Sequence, residues 1–341
     1  MNSGIWMAFD HKANMSQLRS ALTSYTTNLA ERRLIWELEA LQRVNEDQPF
    51  EELNTRHLPK LYDFFRHVGV GADGDHLCLV MALLGGDVQT LLRHTEGGRL
   101  PLSVVKKICI HTLRGLAHLH SCDIAHTDLK RDNIMLDLGS ASQADVTSII
   151  QADPPRRPPP EENWKCIVQA AVSQLLPLPS TLESLLERDY VVADLGSGEH
   201  YWQFVFAIEF KPVAQDLKAK TADYIMPEGM KASEVILQGE SDERLISGLW
   251  VFLLTGRPLY VHETKPVFPE LDANGCHLWQ ISSFSREKSR RTFEPVTLSA
   301  FAAVLRKYDV FSKDGLVEVA MIMQFNPRKR PSAADLLTVE W

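Results

Sequence analysis

Ile124-Ala125-His126-Thr127-Asp128-Leu129-Lys130-Arg131-Asp132-Asn133-Ile134-Met135-Leu136 decides how this 341-residue chain is read. Its ends are apolar and suit buried backbone, and its middle is a polar loop. Asp128 brings a carboxylate that can take a proton, Lys130 an ammonium, and Asn133 an amide oxygen. Upstream, residues 102–121 read as a long amphipathic helix, with Val105, Ile108, Thr112, Leu116 and Leu119 stacked on one side. Pro101 sits near its start, where proline costs least. Downstream, Tyr190-Val191-Val192-Ala193-Asp194-Leu195-Gly196-Ser197-Gly198 reads as a strand followed by a glycine turn, and it carries a further carboxylate, Asp194.

Further out the signals thin. Residues 5–23 read weakly as strand, broken near Asp10-His11-Lys12. Residues 29–44 read as a helix, with Leu34, Leu38 and Leu41 at helical spacing and Glu31, Arg32 and Glu39 between them. Leu77-Cys78-Leu79-Val80-Met81 suits a buried strand, which Gly85-Gly86 is expected to end. Residues 139–163 break the composition, and Asp153-Pro154-Pro155-Arg156-Arg157-Pro158-Pro159-Pro160 fits neither a ladder nor a helix interior. That stretch reads as an exposed insert, or as a ligand for a proline-recognising module. Residues 164–176 and 180–188 are expected to add short helices. The remainder is mostly helical pattern, closed by a helix that Ser332 caps with Asp335 three residues on. No internal repeat is visible.

Bulk composition narrows the class. Hydrophobic residues make up 45% and charged residues 23%, as in an ordinary globular protein. The net charge of -8 disfavours nonspecific binding to nucleic acid or an anionic membrane and is compatible with a basic protein partner. The five cysteines form no C-x-x-C pair, which argues against a zinc site or disulfide scaffold and for a reducing compartment. No secretory signal is visible at Met1-Asn2-Ser3-Gly4-Ile5-Trp6, and the longest apolar run, 249–254, is too short for a bilayer. The expected location is cytoplasm and/or nucleus, as a monomer.

Phosphoryl transfer needs cations to offset phosphate charge and a carboxylate to orient and deprotonate the attacking hydroxyl. His126-x-Asp128-Leu129-Lys130-x-x-Asn133 with Asp194-Leu195-Gly196 supplies those parts. Asp128 would be the base and Lys130 a cation by the moving phosphate. Asn133 and Asp194 would be hard ligands for Mg2+.

With those motifs the chain resembles the eukaryotic protein kinases. Threonine at 127, where most have arginine, is similar to the serine/arginine-protein kinases, with wording of a fungal type. His76-Leu77-Cys78-Leu79-Val80-Met81 before Leu84-Gly85, and an insert at about 139–188, agree. The resemblance implies an α+β, two-lobed kinase-like fold: a small, β-rich and incomplete N-lobe at 1–83 and a larger, mainly helical C-lobe at 84–341. It implies ATP and Mg2+ as cofactors and an Arg-Ser-rich protein substrate. It also implies that Ala82 to Leu84 bond adenine through the backbone and that Glu37 pairs with the ATP-binding lysine. Glu234 of Ala232-Ser233-Glu234 would pair with Arg330, and His126 would be structural.

The chain departs from that pattern in four places. No glycine-rich loop is present, and Ser3-Gly4-Ile5-Trp6-Met7-Ala8 resembles the strand after it, so the chain is expected to start past the loop. Ser20 stands at the ATP-binding lysine, with Arg19 and Lys12 nearby. Asp194-Leu195-Gly196 replaces Asp-Phe-Gly, and Asp242-Glu243-Arg244-Leu245 stands where Asp-Ile-Trp would be. Each lost charge-assisted contact is worth about 1.5–3 kcal/mol. The departures therefore support a second reading, a pseudokinase acting as a binding module. A third, a small-molecule phosphotransferase, shares H-x-D-x-x-x-x-N, but Lys130 and Ala232-Ser233-Glu234 argue against it.

Overall fold

The structure, a computed structural model, describes residues 4–7, 21–26, 37–46, 57–68, 75–138, 143–154, 156–162, 167–168, 176–197, 199–200, 231–237, 253, 270–284 and 326–338. In chain order the first elements are β1 (Gly4–Met7), β2 (Ala21–Thr26), α1 (Glu37–Asn45), β3 (Leu61–His67), β4 (His76–Met81), β5 (Leu84–Asp87), α2 (Val88–His94) and α3 (Leu102–Ser121). There follow β6 (Ile124–Ala125), β7 (Ile134–Asp137), α4 (Gln143–Ala152), β8 (Glu161–Glu162), β9 (Ile167–Val168), α5 (Leu182–Glu187), β10 (Tyr190–Val192) and β11 (Glu199–His200). The last are α6 (Ser233–Ile236), α7 (Ala273–Phe284) and α8 (Ala333–Leu337). The architecture is α+β, as the sequence implied. Two compact units group the chain as Met1–Leu91 with Ile134–Gly196, and Leu92–Asn133 with Ser197–Trp341. The expected lobes at 1–83 and 84–341 follow the family's pattern and are a different partition from these units.

The first unit holds an antiparallel sheet in the order β1-β2-β4-β3. Leu77, Cys78 and Leu79 of β4 are buried in succession, so an apolar run without alternation marks a strand covered on both faces. On α1 the buried positions are Glu37, Ala40, Leu41 and Val44, a stripe at helical spacing. Leu34 and residues 29–36, the expected first turns of that helix, lie outside the described residues.

A second sheet in this unit, ordered β10-β7-β5, corrects one expectation. Gly85 and Gly86 do not end the preceding strand; they lie inside β5, which pairs Leu84 with Asp137 and Asp87 with Met135. The reason is space. A Cβ on Gly85 would meet Leu138 Cδ2 at 2.8 Å, and one on Gly86 would meet Leu178 Cδ2 at 2.6 Å. The glycines admit a close neighbour rather than a turn.

The segment 139–188 also differs from its reading. Its first part holds α4, where only a composition break was anticipated. Within 164–176 the described residues include β9, paired with β8, instead of a helix. Its end is helical as expected: Thr181 and Ser184 close a capping box on α5. Arg188 Nη1 donates to the Leu138 carbonyl at 3.0 Å, and Tyr190 donates its hydroxyl to the Leu185 carbonyl at 3.1 Å.

The second unit is built on α3. Val105, Ile108, Thr112, Leu116 and Leu119 are all buried, and α8 packs against this helix. Ser332 and Asp335 form the capping box on α8 that their spacing predicts. The short strand β6 pairs antiparallel with β11 and delivers the chain into the polar loop.

Candidate active site

The polar loop starts with a tight reversal. Asp128 N–H donates to the His126 carbonyl at 2.7 Å, closing three residues around Thr127, whose φ is +58°. This is the strained form of the three-residue turn, and it is rare for a β-branched residue. His126 and Thr127 are both buried, so surrounding contacts hold the strain. Nothing in the residue type of Thr127 announces that geometry.

The reversal places Asp128 for two side-chain contacts. Lys130 Nζ lies 2.6 Å from Asp128 Oδ2. Buried Asn133 donates from Nδ2 to the Asp128 carbonyl at 2.9 Å and to Oδ2 at 3.3 Å. Both partners of Nδ2 can only accept, which fixes the amide so that Oδ1 faces away from Asp128. A short turn over Arg131–Asn133, with Asn133 N–H bonded to the Lys130 carbonyl at 3.0 Å, sets that position. Asp128, Lys130 and Asn133 are thus brought together as one preformed group. Asn133 Oδ1 is a hard donor of the kind Mg2+ takes, so this residue fits the metal role assigned to it.

In the other unit Asp194 and Glu37 come together. Asp194 is exposed, just past β10, with φ +64°, a conformation aspartate tolerates. A Cβ on Gly196 would lie 3.6 Å from Asp194 Oδ1 and 3.9 Å from Glu37 Oε2, so both carboxylates border this glycine. Glu37 is only 6% exposed, while Glu39 faces solvent. Position on the α1 stripe separates two glutamates that sequence alone could not rank. An exposed aspartate fits a magnesium ligand by its chemistry.

One residue escaped the sequence reading. His57, with φ +55°, accepts Val192 N–H on its carbonyl at 2.9 Å, and its Nδ1 lies 3.1 Å from the Tyr190 carbonyl. It pins β10, the strand that leads into Asp194. An isolated histidine between patterns offers no signal for such a role.

At the stretch assigned to adenine, Ala82 N–H is already committed to the Lys60 carbonyl at 3.0 Å. Ala82 therefore has its carbonyl to offer, and Leu84 is held in β5 opposite Asp137. Burial pulls the Lys60 ammonium below its ordinary pKa, against the opposing charge of Asp137. Ser20, Arg19 and Lys12 lie outside the described residues. Arg330 is buried and donates from Nη2 to Ser233 Oγ at 3.5 Å. The Glu234 side chain, its expected partner, is outside the described residues. Among those residues no helix is long and apolar enough to cross a membrane.

Residues 30–147 match the protein kinase domain family. The chain is 36% identical over 118 residues to serine/threonine-protein kinase SKY1 of Saccharomyces cerevisiae, covering 34% of this chain and 15% of that protein. It is 32% identical over 139 residues to protein kinase dsk1 of Schizosaccharomyces pombe, covering 39% and 24%. It is 33% identical over 145 residues to human SRSF protein kinase 3, covering 41% and 24%. The chain therefore spans about a quarter or less of the length of these relatives. Over the matched stretch the chain is similar to the protein kinase domain and to the serine/threonine kinases SKY1, dsk1 and SRSF protein kinase 3.

Proposed function

We propose that this chain is a protein serine/threonine kinase that moves the γ-phosphoryl group of ATP to a serine hydroxyl in a basic, Arg-Ser-rich protein. The observation that carries the proposal is the side chain of Asp128 held between Lys130 and Asn133. Both contacts fall on Oδ2, so Oδ1 is the oxygen to accept the serine proton. The serine oxygen bonds to the γ-phosphorus as the bond to the β-phosphate oxygen breaks, ADP leaves, and the proton passes to Asp128. Lys130 keeps a positive charge beside the phosphoryl group in transit. Asn133 Oδ1 and the Asp194 carboxylate would hold Mg2+, which when bound offsets the phosphate charge. The Ala82 carbonyl and the Leu84 backbone would orient adenine, and Glu37 would position a cation on the phosphates. His126, Glu234 and Arg330 would be structural.

The substrate class rests on the resemblance and on the net charge of -8, which favours a basic partner. A monomer in the cytoplasm or nucleus, binding neither nucleic acid nor membrane directly, completes the reading. Incubation of the purified chain with labelled ATP, Mg2+ and an Arg-Ser repeat peptide tests it. Label should reach peptide serine and vanish when alanine replaces serine; no transfer at any peptide concentration overturns it. Ser20 at the lysine position favours a second reading, a pseudokinase that binds a partner. Magnesium-ATP should raise the melting temperature under the first reading and leave it unchanged under the second.

A further inference from the structure

We propose that the tract at 153–160 is a docking segment for a WW-type proline-recognition domain. Pro158, Pro159 and Pro160 have φ fixed by their rings, and Arg157, Pro158 and Pro159 each precede a proline and so favour extended backbone. Arg157 to Pro160 is therefore biased to the polyproline II helix before any partner arrives, and little ordering entropy is left to lose. The structure agrees: residues 156–160 belong to no helix or strand.

The tract is also presented. Arg156, Arg157, Pro159 and Pro160 are exposed, and Pro158 is half-buried. The end of α4 at Ala152 and the start of the β8–β9 pair at Glu161 tether it on both sides. In a helix of three residues per turn, Arg156 shares an edge with Pro159, and Arg157 shares the next with Pro160. Each edge thus offers a proline ring to an aromatic slot and a guanidinium that can stack on a ring or meet an acidic rim. Arg156 pairs with Asp153 at 3.3 Å on the surface, a contact weak enough to exchange for a partner's carboxylate.

Residue order favours a WW groove over an SH3 groove. The tract contains a single P-x-x-P, Pro155 to Pro158, and its arginines lie between those prolines instead of beyond them. Adjacent prolines beside arginine suit a slot that takes two neighbouring rings. None of this depends on the phosphoryl-transfer reading.

The test titrates the full chain into a fluorescent recombinant WW domain of the arginine-tolerant, polyproline-binding type, with an SH3 domain in parallel. Saturable WW binding is expected with Kd on the order of 10–100 µM. The double variant Pro159→Ala/Pro160→Ala should weaken it about tenfold or more, at unchanged melting temperature, the two lost rings together removing about 1.4 kcal/mol or more. Arg156→Glu/Arg157→Glu should weaken it several-fold and reduce its salt dependence. No saturation by 1 mM, equal affinity for the proline variant, or stronger binding to the SH3 domain would overturn the assignment.

Discussion

Asn133 donates its amide to the backbone carbonyl and to the carboxylate of Asp128, at 2.9 and 3.3 Å, so one side chain ties down both ends of the residue proposed as base. Exchange for aspartate would set an acceptor against two acceptors while keeping a carboxylate for a metal. Asn133→Asp should therefore lower stability by about 1–3 kcal/mol, the cost of unsatisfied buried groups. It should also cut phosphoryl transfer by about a hundredfold or more, because a displaced base loses its geometry. Urea unfolding and a transfer assay on the same preparation check both. A stable variant with ordinary turnover would show that the tie is ornamental.

The two glycines of β5 should respond unequally to alanine. Among the described residues, a Cβ at Gly86 meets Leu178 alone, chiefly the end of that flexible side chain. At Gly85 it meets Leu138 Cδ2 at 2.8 Å, Leu138 Cγ at 3.3 Å and the Leu136 carbonyl at 3.4 Å, which cannot all move aside. Gly85→Ala should cost about 1–3 kcal/mol from overpacking. Gly86→Ala should come out near neutral, since alanine also restricts the unfolded chain by about 0.4–1 kcal/mol. Thermal unfolding of the pair decides it, and equal losses would contradict this packing.

Gly85-Gly86 looks like punctuation, and only the tertiary neighbours Leu138 and Leu178 reveal that it is a close-packing site inside a strand. The α3 helix was legible because Val105, Ile108, Leu116 and Leu119, with Thr112, carry their own period, and α8 because Ser332 and Asp335 carry their own cap. The loop from His126 to Asn133 was legible as chemistry, since carboxylate, ammonium and amide stand close in the chain. The left-handed backbone of Thr127 and the pinning of β10 by His57 were not, because each depends on contacts that no local pattern encodes. The ranking of Glu37 over Glu39 needed only the phase of the buried stripe, but Leu34 and Leu38 set that phase ambiguously.

Stability should fall in mild acid through His120. Burial, with the neighbouring His126 adding to it, lowers its pKa from 6.5 to about 4. Between those values the unfolded chain binds a proton that the folded chain does not, so stability rises with pH there. One such group gives a slope of at most about 1.4 kcal/mol per pH unit. Urea midpoints should drop from pH 7 to pH 4.5, and His120→Asn should flatten that dependence. A wild-type profile that His120→Asn leaves unchanged would place the titrating group elsewhere.

The most direct test of the central claim compares single-turnover phosphoryl transfer by the wild-type chain and by Asp128→Asn, with magnesium-ATP and an Arg-Ser peptide both bound at saturation. The variant should keep its fold and its nucleotide affinity but lose transfer by about 100-fold or more, the share expected of a positioned proton acceptor. Equal single-turnover rates would contradict the claim, because Asp128 would then have no part in the chemical step.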